Sequence, residues 1–412
     1  MTLTREDFIV LDEQDMLAQF ADEFSLPEGM IYLDGNSLGA MPKAAMARAQ
    51  QVIENEWGID LIKSWNKAGW FNLVEKLGDK VATLIGAKKG EVIYCDSTGL
   101  NVYKLVASGL DMRPDRKKII MEGSNFPTDN YMVQGLVKQL DKDHEIVFAE
   151  GADIFASITE EVAVVCLTHV HYKTGFLHDM KKITAKAHEV GAFVVWDLCH
   201  SAGALPVDLN GCNVDMAVGC SYKYLNGGPG SQAFVFVAER HHGKAAQPLT
   251  GWWGHAAPFG FERDYRPRQD IRQFSTGTEP VVALSMMEIG LDIFMRADMN
   301  EIRKKSLKQT DLFIQLIEER LGDYDFSLAT PKDHDSRGSQ VSIHSDNGFA
   351  IMQALIADDV IGDFRAPDIM RFGFTPLYVS YVDVWDAVER LKNIMETGSW
   401  DKPEYKTVGA VT

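Results

Sequence analysis

Cysteine is scarce and unpatterned in this chain, with five residues (Cys95, Cys166, Cys199, Cys212, Cys220) in 412 and no CxxC spacing. An odd number lying mostly in apolar runs argues against a disulfide framework or a zinc site, and reduced buried thiols are expected. Basic charge is also short: 41 Lys plus Arg face 59 Asp plus Glu, a net charge of −18. That sign repels nucleic acid and anionic lipid and leaves small molecules or proteins as the expected partners. No apolar run reaches the roughly 18 residues of a membrane helix. The opening MTLTREDFIVLDEQD carries acids where a secretory signal needs a basic end and an apolar centre, so a cytoplasmic location is expected. Neither GxGxxG nor GxxxxGK[ST] occurs, so the common nucleotide loops find no support. Repeats, low-complexity tracts and Gly/Ser/Pro-rich linkers are missing too.

What is present is an ordinary folded composition, 46% apolar, 24% charged and 10% aromatic. Short β-rich runs at 91–95, 118–121, 145–149, 162–168, 192–196, 216–220 and 232–238 alternate with helical segments such as 101–110, 130–140 and 180–190. Hydrophobicity is continuous in Val162 to Leu167 and in Phe193 to Trp196, as in strands covered on both faces. The expected fold class is α/β: a large three-layer domain around a mostly parallel sheet, plus a smaller α+β domain. The smaller unit is expected from strands near 325–329 and 340–344 between helices at 349–358 and 382–397. This gives an N-terminal segment over 1–61 that ends in an amphipathic helix and packs with the small domain, a large domain over 62–298, and a small domain over 299–412.

Ligands of open α/β sheets sit beyond the carboxyl ends of the strands, so polar residues that follow β runs carry the most information. The run FVVW ends in Asp197, and MAVGC leads into SYKYLNGGPG, which places Lys223 between two tyrosines. Asp197 alone could be a helix cap and Lys223 alone a loop charge. Together they suit pyridoxal phosphate, which needs a lysine amine for its Schiff base and a carboxylate to keep its pyridine nitrogen protonated. In CDSTGLNVYKLV a strand runs into Ser97, Thr98 and Gly99 and then a helix, a turn able to hold phosphate or merely to cap. In EGSNFPTDN, Phe126 could stack on a planar ring and Asp129 lies beside it, or the Phe is simply core. His169 and His171 alternate at a strand end, but no third ligand has suitable spacing and no metal is expected. His200, three residues past Asp197, either contacts the cofactor rim or satisfies the core.

The ordered set GNSLG (35–39), SWNKAGW (64–70), NFPTDN (125–130), LTHVHYKTG (167–175), WDLCHSAG (196–203), CSYKYLNGGPG (220–230), GWWGH (251–255) and MRFGFTPLY (370–378) resembles the kynureninases over nearly the whole chain. The resemblance implies a fold-type-I pyridoxal-phosphate enzyme of the class-V aminotransferase superfamily. It also implies a homodimer with shared active sites that hydrolyses L-kynurenine to anthranilate and L-alanine. Lys223 then matches the Schiff-base lysine, Asp197 the partner of the ring nitrogen and Phe126 the stacked aromatic. Asp129, Thr168 and His200 fall beside the cofactor, Thr98 and Gly99 match the phosphate turn, and Tyr222 matches a tyrosine that bonds the phosphate and relays protons. Trp252 and Thr278 match positions that reach the phosphate from the other subunit. Arg371 matches the arginine that grips the substrate carboxylate, with Asn36, Trp65 and Gly277 as further substrate contacts.

Two departures stand out. Gly99 occupies a position where other members carry Ser or Thr, and Thr278 with Gly277 replaces the Ser-Asn of animal enzymes. With Trp65 in place of a His, the pattern resembles the bacterial type, which favours kynurenine over its 3-hydroxy derivative. A cysteine desulfurase would need a late catalytic cysteine, and none follows Cys220. An aminotransferase would keep the same lysine and aspartate. A non-catalytic cofactor-binding regulator would need a DNA-binding module, for which there is neither spare length nor a basic region.

Overall fold

The structure, a computed structural model, describes residues 3–407. Its centre is a seven-stranded sheet made of β1 (Val92–Tyr94), β2 (Lys118–Glu122), β3 (Glu145–Ala149), β4 (Val162–Thr168), β5 (Phe193–Asp197), β6 (Met216–Cys220) and β7 (Ala233–Val237), in the order β1-β7-β6-β5-β4-β2-β3. Only β7 runs antiparallel to its neighbours. β-Branched residues crowd these strands, and β4 buries all seven of its side chains, as a strand sandwiched between helix layers must. The strands expected from sequence appear within a residue or two of their expected limits.

Helices α1 (Thr98–Asp111), α2 (Pro127–Leu140) and α3 (Met180–Glu189) connect these strands. Each start has a local cause. The Ser97 side chain accepts from Leu100 N ahead of α1, Pro127 opens α2, and Asp179 accepts from Lys182 N ahead of α3. The starts of α1 and α2 therefore face the carboxyl ends of the strands.

Helices α4 (Val281–Phe294) and α5 (Met299–Leu321) lead to an antiparallel sheet of β8 (Ser327–Leu328), β9 (Gln340–His344), β10 (Asp363–Arg365) and β11 (Ile369–Gly373), ordered β8-β9-β11-β10. Helices α5 and α6 (Gly348–Ala357) pack on it, and α7 (Tyr381–Thr397) packs on both of these helices. Arg371 sits in the middle of β11, directly opposite Asp363 on β10. The apolar neighbours Met370 and Phe372 are what make IMRFG a strand.

The N-terminal segment joins this second sheet region. Ile31–Tyr32 pairs in parallel with Val360–Ile361, Phe8 packs on Trp385 at 5.3 Å, and the Asp12 carboxylate accepts from Tyr381 N and Val382 N at the start of α7. The expected amphipathic helix proves to be an α-helix, Ala44–Gln50, continued by a ten-residue π-helix, Gln51–Asp60. That wider turn brings the buried Glu56 inward, where it accepts from Trp70 Nε1 at 2.8 Å and pairs with Arg48. Among the described residues no helix is long and apolar enough to cross a membrane.

Candidate active site

A cavity of about 460 Å³ opens at the carboxyl ends of β4, β5 and β6, between the starts of α1 and α2. Its volume lies within the few hundred to a thousand Å³ usual for small-molecule sites. Thr98, Gly99, Phe126, Asp129, Thr168, Asp197, His200, Tyr222 and Lys223 all line it, so residues spread over more than a hundred positions converge. The convergence follows from topology, because parallel strands bring every β-to-α turn to one edge.

Lys223 Nζ lies 3.0 Å from His200 Nε2 and 5.9 Å from the ring centres of both Phe126 and Tyr222. Burial, then the positive charge of Lys223, holds His200 well below the usual histidine range, so the imidazole is neutral and accepts from the lysine ammonium. Its Nδ1 is buried without a partner. On the cavity floor, burial and then the neighbouring Asp197 charge push Asp129 well above the ordinary carboxylate range. Both effects favour the protonated form of Asp129. Asp197 Oδ1 accepts from Cys199 N at 2.8 Å, which fixes its orientation in a turn rather than at a helix start.

These groups suit pyridoxal phosphate. The Asp197 carboxylate, with Asp129 beside it, would complement a protonated ring nitrogen, and Lys223 would supply the amine. Phe126, 45% exposed and edge-on to Tyr172 at 5.3 Å, offers an aromatic wall. The start of α1 offers backbone N–H groups to an anion. At Gly99 an added Cβ would come within 2.7 Å of Thr128 Cγ2, so glycine is what keeps the two helix starts this close. Thr98 Oγ1 lies 3.6 Å from Cys199 Sγ, and Thr168 Oγ1 donates to Val170 O at 3.3 Å.

The substrate residues expected from sequence are not in this cavity. Arg371, 2% exposed, donates from Nε to Asp363 Oδ1 at 2.6 Å and from Nη1 to Tyr172 O at 2.6 Å, and its Nη2 serves Asp363 and Ser37. Tyr172 links this cluster to the cavity, since it also lines the latter. Asn36 is fully buried, donating to Gln340 Oε1 at 3.5 Å. Asp34, with Oδ1 unpartnered, is pushed up to about 7 by burial and the nearby Asp363 charge, against the opposing pull of Arg371. Trp65 packs edge-on to Trp70 at 5.9 Å and to Trp253 at 5.7 Å, away from the cavity. Trp252 (42% exposed), the half-buried Gly277 and the exposed Thr278 also stand apart from it.

Sequence reasoning missed Asp363, Ser37, Tyr172 and Cys199. Tyr172 and Cys199 lie inside motifs already singled out, and their position beside the strand ends was the available signal. Asp363 had none, because its role depends on the β10–β11 register.

The model of the kynureninase C-terminal domain family matches residues 302–391. Among solved structures the fold is similar to an apo cysteine desulfurase from Thermococcus onnurineus NA1, with TM-score 0.77 and 18% identity over 92% of this chain and 98% of that one. It is also similar to the cystine C–S lyase C-DES in complex with its product cysteine persulfide, with TM-score 0.73 and 15% identity over 89% and 98%. At these identities the likeness establishes the fold, that of the fold-type-I enzymes, and nothing of the reaction. A curated kynureninase of Pseudomonas fluorescens is 50% identical over 414 aligned positions, covering 99% of this chain and all of that protein. One from Burkholderia pseudomallei (strain 1106a) is 53% identical with the same coverage. Agreement at that level along the whole length, joined to the matching C-terminal domain, means that the chain belongs to the kynureninase family.

Proposed function

We propose that this chain uses pyridoxal phosphate to hydrolyse the Cβ–Cγ bond of L-kynurenine, giving anthranilate and L-alanine. The observation that carries the reading is a lysine nitrogen 3.0 Å from a neutral histidine, in a cavity that is also lined by the carboxyls of Asp129 and Asp197 and edged by an aromatic ring. When bound, the cofactor supplies an electron sink for charge developing at the substrate's α-carbon. Asp197, backed by Asp129, would keep the ring nitrogen protonated. Lys223 Nζ would anchor the cofactor and is placed to serve as the base for the substrate's Cα proton. Tyr222, whose phenol is pushed up mainly by burial, stays protonated and is placed to relay protons. Thr98, the Gly99 backbone N–H and Tyr222 hold the phosphate, while Phe126, Thr168 and His200 fix the ring.

We place the substrate carboxylate at Arg371, with Asn36 behind it. Trp252 and Thr278 reach the site of a second copy in a homodimer, and Trp65 and Gly277 set the preference for kynurenine over 3-hydroxykynurenine. The division into 1–61, 62–298 and 299–412 completes the reading, as does a cytoplasmic setting, in which five free cysteines stay reduced. The test is to mix cofactor-loaded protein with L-kynurenine and follow anthranilate fluorescence and alanine together. Equal yields are expected. Bound cofactor without either product overturns the substrate, and a stable pyridoxamine form after reaction with a 2-oxo acid would favour an aminotransferase.

A further inference from the structure

Two of the buried thiols lie side by side beneath the cavity. Cys199 lies two residues past the end of β5 and Cys220 ends the neighbouring β6, with Cys220 Sγ 3.9 Å from Cys199 O. Neighbouring strands are about 4.8 Å apart, inside the Cα separation that a disulfide spans. Cys220 N donates to Cys199 Sγ at 3.2 Å, so the Cys199 sulfur already leans across to its neighbour. Cys199 lines the cavity, and its sulfur also touches Thr98 Oγ1 at 3.6 Å. Burial raises Cys220, but the thiol of Cys199 and the charge of Lys223 outweigh it and bring the group below the ordinary thiol range.

We propose that Cys199 and Cys220 form a reversible disulfide when the cavity holds no cofactor, and that bound cofactor shields them. The proposal rests on the pyridoxal-phosphate reading of the cavity. With hydrogen peroxide as oxidant, the Cys199 sulfur, which faces the cavity, loses its proton and attacks one peroxide oxygen. The S–O bond forms, the O–O bond breaks, and hydroxide leaves as water after taking a proton. The Cys220 sulfur, deprotonated, then attacks the sulfenic sulfur; the S–S bond forms, and the S–O bond breaks to release a second water. Two thiols are oxidised by two electrons, and one peroxide is reduced to two waters. The new bond draws Cys199 Sγ away from Thr98 and ties the strand that leads to Lys223, so cofactor rebinding is lost until a dithiol reductant cleaves it.

The test uses the full chain carrying Cys212→Ala, which removes the one cysteine of intermediate exposure, in cofactor-loaded and cofactor-stripped forms. Loading is read from the cofactor's absorbance, independently of turnover. After brief peroxide treatment and thiol blocking, non-reducing peptide mass spectrometry should find the Cys199 and Cys220 peptides linked, two hydrogens lighter than their sum, in the stripped protein alone. Cofactor rebinding should fall in step and return with dithiothreitol. Both thiols recovered as blocked monomers in the stripped protein, or linkage to the same extent in both forms, would overturn the proposal. Failure of the pyridoxal-phosphate reading would instead show as absence of the absorbance before any peroxide is added.

Discussion

Two basic residues, the half-buried Lys223 and the buried Arg371, carry the proposed chemistry, and their surroundings are opposite. Lys223 Nζ has one neutral partner, His200, and otherwise faces open cavity. Arg371 has every arm engaged, by Asp363, Ser37 and the Tyr172 carbonyl. The difference follows from the sheets that bear them. Lys223 hangs in a turn beyond a parallel strand, where the fold leaves space. Arg371 is in mid-strand with a carboxylate directly opposite, where a hairpin closes on itself. A buried guanidinium without a counter-ion would cost several kcal/mol, so Asp363 is what makes the position tenable before substrate arrives. Lys223 is open toward the cavity, whereas on the proposed reading a substrate carboxylate at Arg371 would take the place of an internal partner, and Tyr172 O on Nη1 is the one adjoining the cavity.

Removing the open cation should have the largest effect. Lys223→Ala takes away both anchor and base, and anthranilate release should fall by about 10³-fold or more, within the range of a lost general base. Normal turnover in that variant would take Lys223 out of the mechanism. Next comes the closed end. Asp363→Asn leaves Arg371 buried without its charge partner and should cost about 3–5 kcal/mol of stability, read as a lower urea midpoint. An unchanged midpoint would mean that Ser37 and the Tyr172 carbonyl suffice. Arg371→Lys keeps the charge but loses the planar two-pronged geometry, so KM for kynurenine should rise roughly 10- to 100-fold with kcat less affected. An unchanged KM would return Arg371 to a purely structural pair.

A pH experiment separates the two ends further. Asp34, beside Asp363, Arg365 and Arg371, titrates near 7 instead of in the ordinary carboxylate range near 4. Between those values the folded chain holds a proton that the unfolded chain has released, so this group makes stability fall as pH rises through the window. Asp34→Asn should flatten that part of the curve, and the loss of Tm between about pH 5 and pH 8 should be smaller than in the parent. An identical slope in both proteins would show that Asp34 is already ionised. At the amine end His200, held neutral in the fold, acts with the opposite sign: the unfolded chain takes up a proton there below about pH 6.5, so this group makes stability fall as pH drops through that value.

The large sheet was legible because strands buried on both faces read as unbroken apolar runs, and the rule that ligands gather at strand ends led from Asp197 and Lys223 to the cavity. The small-domain end was not legible in the same way. β10 is three residues long, too short for any periodicity, and the pairing of Asp363 with Arg371 exists only in the register of two strands. The π-helix over Gln51–Asp60 was equally hidden, since its wider turn does not follow the 3.6-residue spacing by which helices are recognised. Chemistry carried by a turn after a strong strand can thus be read along the chain, while chemistry carried by cross-strand pairing becomes visible only in the fold.

The smallest effect expected lies in the spacing that keeps the amine end open. A methyl group at Gly99 would meet Thr128 Cγ2 at 2.7 Å and Met132 Cγ at 3.3 Å, where the start of α1 faces α2. The nearest atom ends a side chain and can rotate aside, so Gly99→Ala should cost only about 1 kcal/mol of stability, while moving the first-turn N–H groups enough to weaken cofactor binding measurably. Thr128→Ser removes the obstructing methyl group. In a double-mutant cycle it should therefore restore most of the affinity lost by Gly99→Ala, with a coupling of about 0.5–1 kcal/mol. Strict additivity of the two substitutions would mean that Gly99 serves the phosphate turn through its backbone alone and that its contact with α2 is incidental.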